Sequence, residues 1–337
     1  MSHNHRSISR KIITVGRNSL AIILPKEWVD ACQIEKGSEI LLHQLRSGQI
    51  LLQKSPISRY KVELEAGQFD QDILDATIQS AYFLNIDEIV LKFPEMANLP
   101  EQIDHVGGIS KKFPGMNLAI TGPHEVTLNS LTNMSQLKIH DIFNQMLAIL
   151  WLLLDHIKES GSEYDNTFQL FQMESEYSLG VRMLVSALRN YPLVEFEEGT
   201  INIIQVLGSR IALRALRSLI LQVKNFTPYL KAAEIPDLQV LLGDFHSMVQ
   251  IAIQCLFEPS FALLQQLSEY WANLEHSADE IQDASGTMHS FIGNVLDIIQ
   301  TFKEVSITRY VEWLEANPPG GKTLELEEKC LDSFTPE

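Results

Sequence analysis

The chain has 337 residues, of which 45% are hydrophobic and 20% are charged; this composition is typical of globular proteins and excludes the disordered and fibrous classes. Its three cysteines, Cys32, Cys255 and Cys330, are odd in number and widely spaced, so the sequence indicates neither a disulfide framework nor a cysteine-based zinc site. The formal net charge of -17 gives the protein as a whole a surface that repels polyanions.

Positive charge is concentrated at the N-terminal end of the chain. Residues 1–55 hold eight Lys and Arg residues against four acidic ones, a net charge of +4, whereas the remaining residues come to -21. The first 26 residues contain no acidic residue. We therefore predict that this end of the protein faces a polyanion.

The first elements are two predicted β-rich stretches around a turn. The turn is Gly-Arg-Asn-Ser at 16–19; Gly and Asn tolerate a positive φ, so Arg17 is placed at its tip. Pro25 suits the first turn of a short helix over 26–33, because its missing N–H would have no helical partner there. Gly37 is predicted to close that helix.

A second hairpin follows, with predicted strands over 38–45 and 49–54 joined by an Arg-Ser-Gly loop at 46–48. In this order of features, residues 6–55 resemble the SpoVT-AbrB family of DNA-binding domains. The matching residues are Arg10-Lys11, Val15-Gly16-Arg17, Leu24-Pro25-Lys26, the step from Ile34 to Gly37, and Ser47-Gly48-Gln49-Ile50.

The resemblance implies a homodimer in which two copies exchange hairpins to form one swapped-hairpin β-barrel. It also implies DNA contacts from Arg10, Lys11, Arg17 and Lys26. A domain of about 45 residues buries little core of its own, which also favours dimerisation. The alternative is that the basic strip is a solvated face. We favour DNA contact, because the charge is unbalanced and is interleaved with β-branched residues.

Residues 58–131 are predicted to form a small α/β module. Strand-like and helix-like patterns alternate in the order βαβαββ, which favours an open sheet with helices on one face. The predicted elements cover 60–65, 70–84, 88–93, 101–113, 118–121 and 125–128. Gly107-Gly108 lies within a helical pattern and lacks the flanks of a phosphate-binding loop. We expect a spacer or a small regulatory module.

Residues 136–316 are predicted to form a bundle of long amphipathic helices, followed by an acidic tail at 317–337. The six predicted helices cover 136–159, 165–190, 199–226, 236–257, 260–283 and 286–316. In the third helix, apolar residues at helical spacing predict a core stripe, with arginines on the solvated side. The stripe is Ile203, Ile204, Leu207, Ile211, Leu213 and Leu216, and the arginines are Arg210, Arg214 and Arg217.

The chain thus combines an AbrB-like N-terminal domain, an α/β module and two sets of three helices. This order resembles the fused, archaeal-type form of the PhoU family, which is a phosphate uptake regulator. Helices of that family carry acidic residues four positions apart that hold metal ions. The first set departs from this pattern, because the 174–178 stretch lacks the second acid and Leu213 stands where the family has Asp. In the second set, Asp279 and Asp283 have the required spacing, and Asp297 lies on the next helix.

The resemblance thus implies a divalent metal or iron site at Asp279, Asp283 and Asp297 and no other cofactor. An exposed acidic helix face explains the same spacing, and we favour it. No nucleophile, acid–base pair or closed metal site shows a recognisable spacing, so we predict that the protein is not an enzyme.

The longest apolar run, from Met146 to Leu154, has nine residues, well below the roughly 20 that a membrane span needs. Because no signal segment opens the chain, we expect a cytoplasmic protein without membrane insertion. We predict a multidomain α+β protein that acts as a homodimeric, DNA-binding transcriptional regulator linked to phosphate uptake. Its bundle would sense a signal or bind phosphate-transport or signalling proteins. The alternative is a dimeric signalling adaptor of a phosphate transport system that does not bind DNA.

Overall fold

The computed structural model describes the protein in ten stretches, which are 9–16, 19–44, 50–54, 60–94, 98–132, 137–158, 166–189, 203–232, 238–280 and 286–316. Contacts between residues divide the chain into two compact units, Met1–Ser58 and Arg59–Glu337. The acidic tail at 317–337 lies outside the described residues.

The N-terminal unit consists of two antiparallel hairpins and one short helix. Its elements are β1 (Ile12–Val15), β2 (Ser19–Ile22), α1 (Lys26–Ala31), β3 (Ile40–Gln44) and β4 (Ile50–Lys54). Strand β1 pairs with β2, and β3 pairs with β4, as two separate two-stranded sheets. The predicted strands and helix are therefore confirmed, whereas the swapped barrel requires a second copy and stays a prediction.

Local backbone geometry explains the turn of the first hairpin and the two ends of α1. Gly16 has a φ of 74°, as the predicted hairpin turn requires. The carbonyl of Pro25 accepts the first helical bond, from the N–H of Trp28 at 3.0 Å. The helix ends before its predicted limit, because Gln33 takes a φ of 50°. The prediction that Gly37 closes the helix was wrong; Gly37, with a φ of 93°, belongs to the next turn.

A four-stranded sheet with two helices follows, in the predicted βαβαββ order. Its elements are β5 (Lys61–Glu65), α2 (Gln71–Phe83), β6 (Glu88–Lys92), α3 (Leu99–Ser110), β7 (Met116–Gly122) and β8 (Glu125–Ser130). The strand order is β5-β6-β8-β7, with β5 and β6 parallel and the other neighbours antiparallel. Parallel β5 and β6 require the crossover that α2 supplies.

Both helices cover the same face of this sheet. Leu74 and Ile78 of α2 and Val106 of α3 share one core cluster with the strand residues Ile89 and Leu128. The aspartate before α2, Asp70, caps that helix by accepting a hydrogen bond from the N–H of Ile73 at 2.9 Å. The other face carries charged side chains such as Glu63, together with Val90 and Thr127, which are buried.

Six long helices complete the second unit. They are α4 (Ile139–Lys158), α5 (Thr167–Arg189), α6 (Ile203–Ala232), α7 (Leu238–Phe257), α8 (Phe261–Glu280) and α9 (Gly286–Ala316). Helices α4, α5 and α6 pack against one another, α7 packs against α8 and α9, and α6 and α9 join the two sets along an extensive contact. All six helices contribute to one hydrophobic core. The six predicted helices are confirmed.

Helix α6 differs from its prediction in length. It was expected to end near residue 226, but it continues through Pro228 to Ala232. Proline removes one backbone donor from a helix. Packing against α9 offsets the lost hydrogen bond, since the centre of the Phe226 ring lies 4.9 Å from that of Phe291 on α9.

The orientation of α6 also corrects the predicted core stripe. Four of its six members, Ile203, Ile204, Leu207 and Ile211, are 46–55% exposed. Two of the three arginines that were expected to be solvated, Arg210 and Arg217, instead bond to α5, where the Arg210 guanidinium donates to the hydroxyl of Tyr177 at 3.0 Å; Arg214 is exposed as predicted. Spacing reveals that a helix has two faces, but the neighbouring helices determine which face is covered.

Helix α7 contains an apolar stretch, Val240–Phe257, that is long enough to cross a membrane by length and composition. Half of this stretch is buried in the protein. The core helix of a helical bundle meets the same criterion, so this stretch is a weak indication of a membrane span.

Candidate nucleic-acid interface

Three of the four predicted DNA-contacting residues lie in the described part of the N-terminal unit. Arg10 and Lys11 directly precede β1, and Lys26 is the first residue of α1. All three are exposed. The fourth residue, Arg17, lies outside the described residues, between β1 and β2.

These basic side chains remain available for a ligand. Within the part of the chain that the structure describes, no ion pair or side-chain hydrogen bond is found for Arg10, Lys11 or Lys26. The acidic residues of the same unit, Glu27 and Asp30 on α1 among them, are also exposed and likewise form no ion pair among the described residues. The positive charge that precedes β1 is therefore not neutralised by a local carboxylate, so phosphate groups could bind to it.

Most apolar side chains on the strands of this unit whose burial is described are exposed. All four residues of β1 are exposed, and the exposed fraction reaches 71% for Leu20 and 69% for both Leu42 and Ile50. Among the residues of this unit whose burial is described, Pro25 is the buried one. Isolated hairpins without a packed face are at best marginally stable in water. The described strands of this unit therefore expose apolar surface that the unit itself does not cover.

Of the three predicted metal ligands, Asp297 alone has a described side chain. Asp297 lies exposed on α9. Asp279 lies on α8, but its side chain is outside the described part, as is all of Asp283. Among the described residues, no group of three His, Cys, Asp or Glu side chains is placed to hold a metal ion. The metal site stays a prediction.

In the first three-helix set, the acidic residues that resemble the PhoU pattern have other roles. Glu174 accepts a bidentate pair of hydrogen bonds from Arg217, with Nη2 at 2.6 Å from Oε1 and Nε at 2.9 Å from Oε2. The ring of Tyr177 lies 5.0 Å from the same guanidinium. Burial raises the pKa of Glu176. Arg217 thus neutralises the Glu174 carboxylate.

Two features of the second unit carried no signal in the sequence. One is a cleft of about 340 Å³ where α5 meets the α/β module, lined by Gln79, Lys112, Phe113, Leu170, Phe171, Glu174 and Ser178. The other is Arg182 on α5, whose side chain is 1% exposed. Neither follows from spacing, because both depend on how α5 packs against a sheet that is distant in sequence.

Comparison with known proteins bears on the first unit. A family model described as antidote-toxin recognition MazE, bacterial antitoxin, matches residues 13–60. No curated protein and no solved structure matches the chain. The matched residues run from Ile13 in β1 through both hairpins and α1; they include Arg17 and Lys26 but begin after Arg10 and Lys11. Residues 13–60 therefore form a MazE/AbrB-like domain, which is consistent with a DNA-binding regulator or an antitoxin.

Proposed function

We propose that the protein is a homodimeric, DNA-binding regulator whose N-terminal unit grips the duplex. The observation that carries the proposal is the pairing of two properties in one small unit, namely basic side chains without a local carboxylate and hairpins with exposed apolar faces. Domains of the MazE/AbrB type typically dimerise and bind DNA, which supports the same role.

In the proposed mechanism, dimerisation covers the apolar faces and sets two basic strips side by side. Arg10, Lys11, Arg17 and Lys26 then contact phosphates or a groove, and their separation fixes the spacing of the two half-sites. A change in the acidic helical unit would alter the accessibility of these strips. The role is non-enzymatic and cytoplasmic, and its link to phosphate uptake rests on the resemblance of the helices to PhoU.

A gel-shift titration over a range of salt concentrations tests the proposal. The variant Arg10→Ala/Lys11→Ala/Arg17→Ala is compared with Lys111→Ala/Lys112→Ala, which removes exposed positive charges from the α/β module. We expect the first variant to bind genomic DNA fragments more weakly, with a salt slope shallower by about one for each phosphate that is no longer neutralised. The control should bind like the natural protein. Equal binding by all three proteins would refute DNA recognition by this unit.

A second candidate function is that of an adaptor or antitoxin that binds another protein. The exposed apolar residues at the start of α6, which include Leu207 at 52% and Ile211 at 48%, favour it because charged residues usually occupy such positions. The same titration separates the two functions. An adaptor would remain dimeric and show no more affinity for DNA than the alanine variant does.

A further inference from the structure

The outer edge of the four-stranded sheet is a candidate interaction surface. Strand β7 lies at one end of the strand order and pairs with β8 along its inner edge. Within the described stretches, no strand pairs with its outer edge. An edge strand presents a row of backbone donors and acceptors that another strand can use.

The hydrogen-bond pattern identifies which groups point outward. The carbonyl of Gly115 accepts a hydrogen bond from the N–H of Leu131, so Gly115 points toward β8. The direction of the backbone N–H and C=O groups alternates from one residue to the next along an antiparallel strand. The backbone groups of Asn117 and Ala119 therefore also point toward β8. The backbone groups of Leu118 and Ile120 point outward, as does the carbonyl of Met116.

Side chains distinguish this edge from the opposite one. Strand β7 reads Met-Asn-Leu-Ala-Ile-Thr-Gly and contains neither a charge nor a proline, and Ile120 is 62% exposed. Strand β5, at the other edge, carries Lys61, Glu63 and Glu65. Charged residues are the usual protection of an edge strand against pairing. By this criterion β5 is protected and β7 is not.

We propose that β7 pairs antiparallel with β7 of a second copy of this chain, around a two-fold axis at Leu118. In this register Leu118 lies opposite Leu118 of the second copy, and Met116 lies opposite its Ile120. The outward-pointing N–H and C=O groups of the two strands can then form hydrogen bonds with one another. Apolar side chains of the two copies meet on the helix-covered face. The bulge between Ile120 and Gly122 limits regular pairing to the residues before it.

The same arrangement at β5 is less favourable at its centre. A two-fold axis at Glu63 would place the two glutamates directly opposite each other, although each Lys61 would then lie opposite Glu65 of the second copy. The β7 contact instead joins two four-stranded sheets into one of eight strands. It does not depend on the N-terminal hairpins, although a dimer formed there would raise the local concentration of the second β7 edge.

Disulfide trapping in the full-length protein tests this register. Asn117→Cys/Ala119→Cys places cysteines at positions that face each other across a non-hydrogen-bonded pair, where Cα atoms are about 4.5 Å apart and a disulfide can form. The background carries Cys32→Ser and Cys330→Ser, while buried Cys255 stays. The matched control carries the same two cysteines together with Ile120→Lys, which places a charge on this edge.

We expect mild oxidation to convert most of the β7 cysteine variant, and little of the control with Ile120→Lys, into a covalent dimer. Absence of the β7 crosslink, or equal crosslinking of both variants, would overturn the proposal. Amide exchange supplies a second readout, since the N–H groups of Leu118 and Ile120 should exchange at least about ten-fold more slowly than in Ile120→Lys. The control Ile73→Lys, at a residue 52% exposed on α2, should retain that protection. DNA binding is scored separately, so failure of either proposal is distinguishable.

Discussion

Arg182 on α5 donates a hydrogen bond from Nη1 to the carbonyl of Tyr82, 2.9 Å away in the last turn of α2. The same nitrogen donates to the carbonyl of Ile86 at 3.0 Å, and the guanidinium carbon lies 4.7 Å from the centre of the Tyr82 ring. Nη2 lies 3.4 Å from the carboxylate of Asp87. A buried cation from the helical bundle therefore caps a helix of the α/β module.

Further contacts make this junction continuous. Asn85, which follows α2 with a φ of 56°, donates to the hydroxyl of Ser186 at 3.0 Å. The guanidinium of Arg189 lies 4.2 Å from the centre of the Tyr60 ring. The ring of Phe83 meets that of Tyr177 edge-on. The module is thus fixed to α5.

Replacing the buried arginine should destabilise this junction strongly. Arg182→Met would leave the carbonyls of Tyr82 and Ile86 without their donor, and we expect the free energy of unfolding to fall by about 3 kcal/mol. Arg214→Met, at an exposed arginine of α6, is the control and should change it by less than about 0.5 kcal/mol. Urea denaturation followed by circular dichroism measures both. Similar values for the two variants would show that the junction contributes little.

The ion pair between Glu174 and Arg217 should contribute modestly. Both side chains are more than a third exposed, at 40% and 34%, so solvent screens their attraction. A double-mutant cycle with Glu174→Ala and Arg217→Ala should give a coupling energy of about 0.5–1 kcal/mol, which decreases in high salt. A coupling energy of zero at low salt would show that this ion pair does not contribute to stability.

The carboxyl group of Glu176 should make stability depend on pH. Burial raises its pKa in the folded state above the ordinary value of 4.5, so folding favours the protonated form. This contribution is present at low pH and is lost as pH rises through the folded pKa. Glu176→Gln should therefore raise Tm at pH 7 relative to the natural protein, and the difference should shrink toward pH 4.

Glu174→Gln is the matched control for this measurement, because its carboxylate is paired with Arg217. Removing that charge should lower Tm at pH 7. If Glu176→Gln also lowers Tm at neutral pH, its ionised carboxylate is better solvated than its burial indicates.

Close packing at Gly180 should resist even one added methyl group. A Cβ at this position would lie 2.7 Å from Cδ2 of Leu213 and 3.2 Å from Cγ2 of Ile142. Gly180→Ala should therefore cost about 1–3 kcal/mol. In Gly107→Ala, on α3, the new Cβ meets nothing within 4 Å, so this control should gain about 0.5–1 kcal/mol from helix propensity. Calorimetry of the two variants checks the opposite signs.

Local sequence signals predicted most elements well. The amphipathic period identified all six long helices. Turn chemistry placed Gly16 correctly in the first hairpin. These signals succeed because capping, positive φ and side-chain periodicity act over a few residues.

The sequence by itself thus determined the order of strands and helices, the basic N-terminal end and the acidity of the rest. Tertiary structure alone decided which face of α6 is covered, that Arg217 neutralises Glu174, and that Arg182 joins the module to the bundle. It also decided that β7, and not one of the inner strands, is left at an edge. These outcomes depend on contacts between residues that are tens of positions apart, and periodicity within one element carries no information about its distant neighbours.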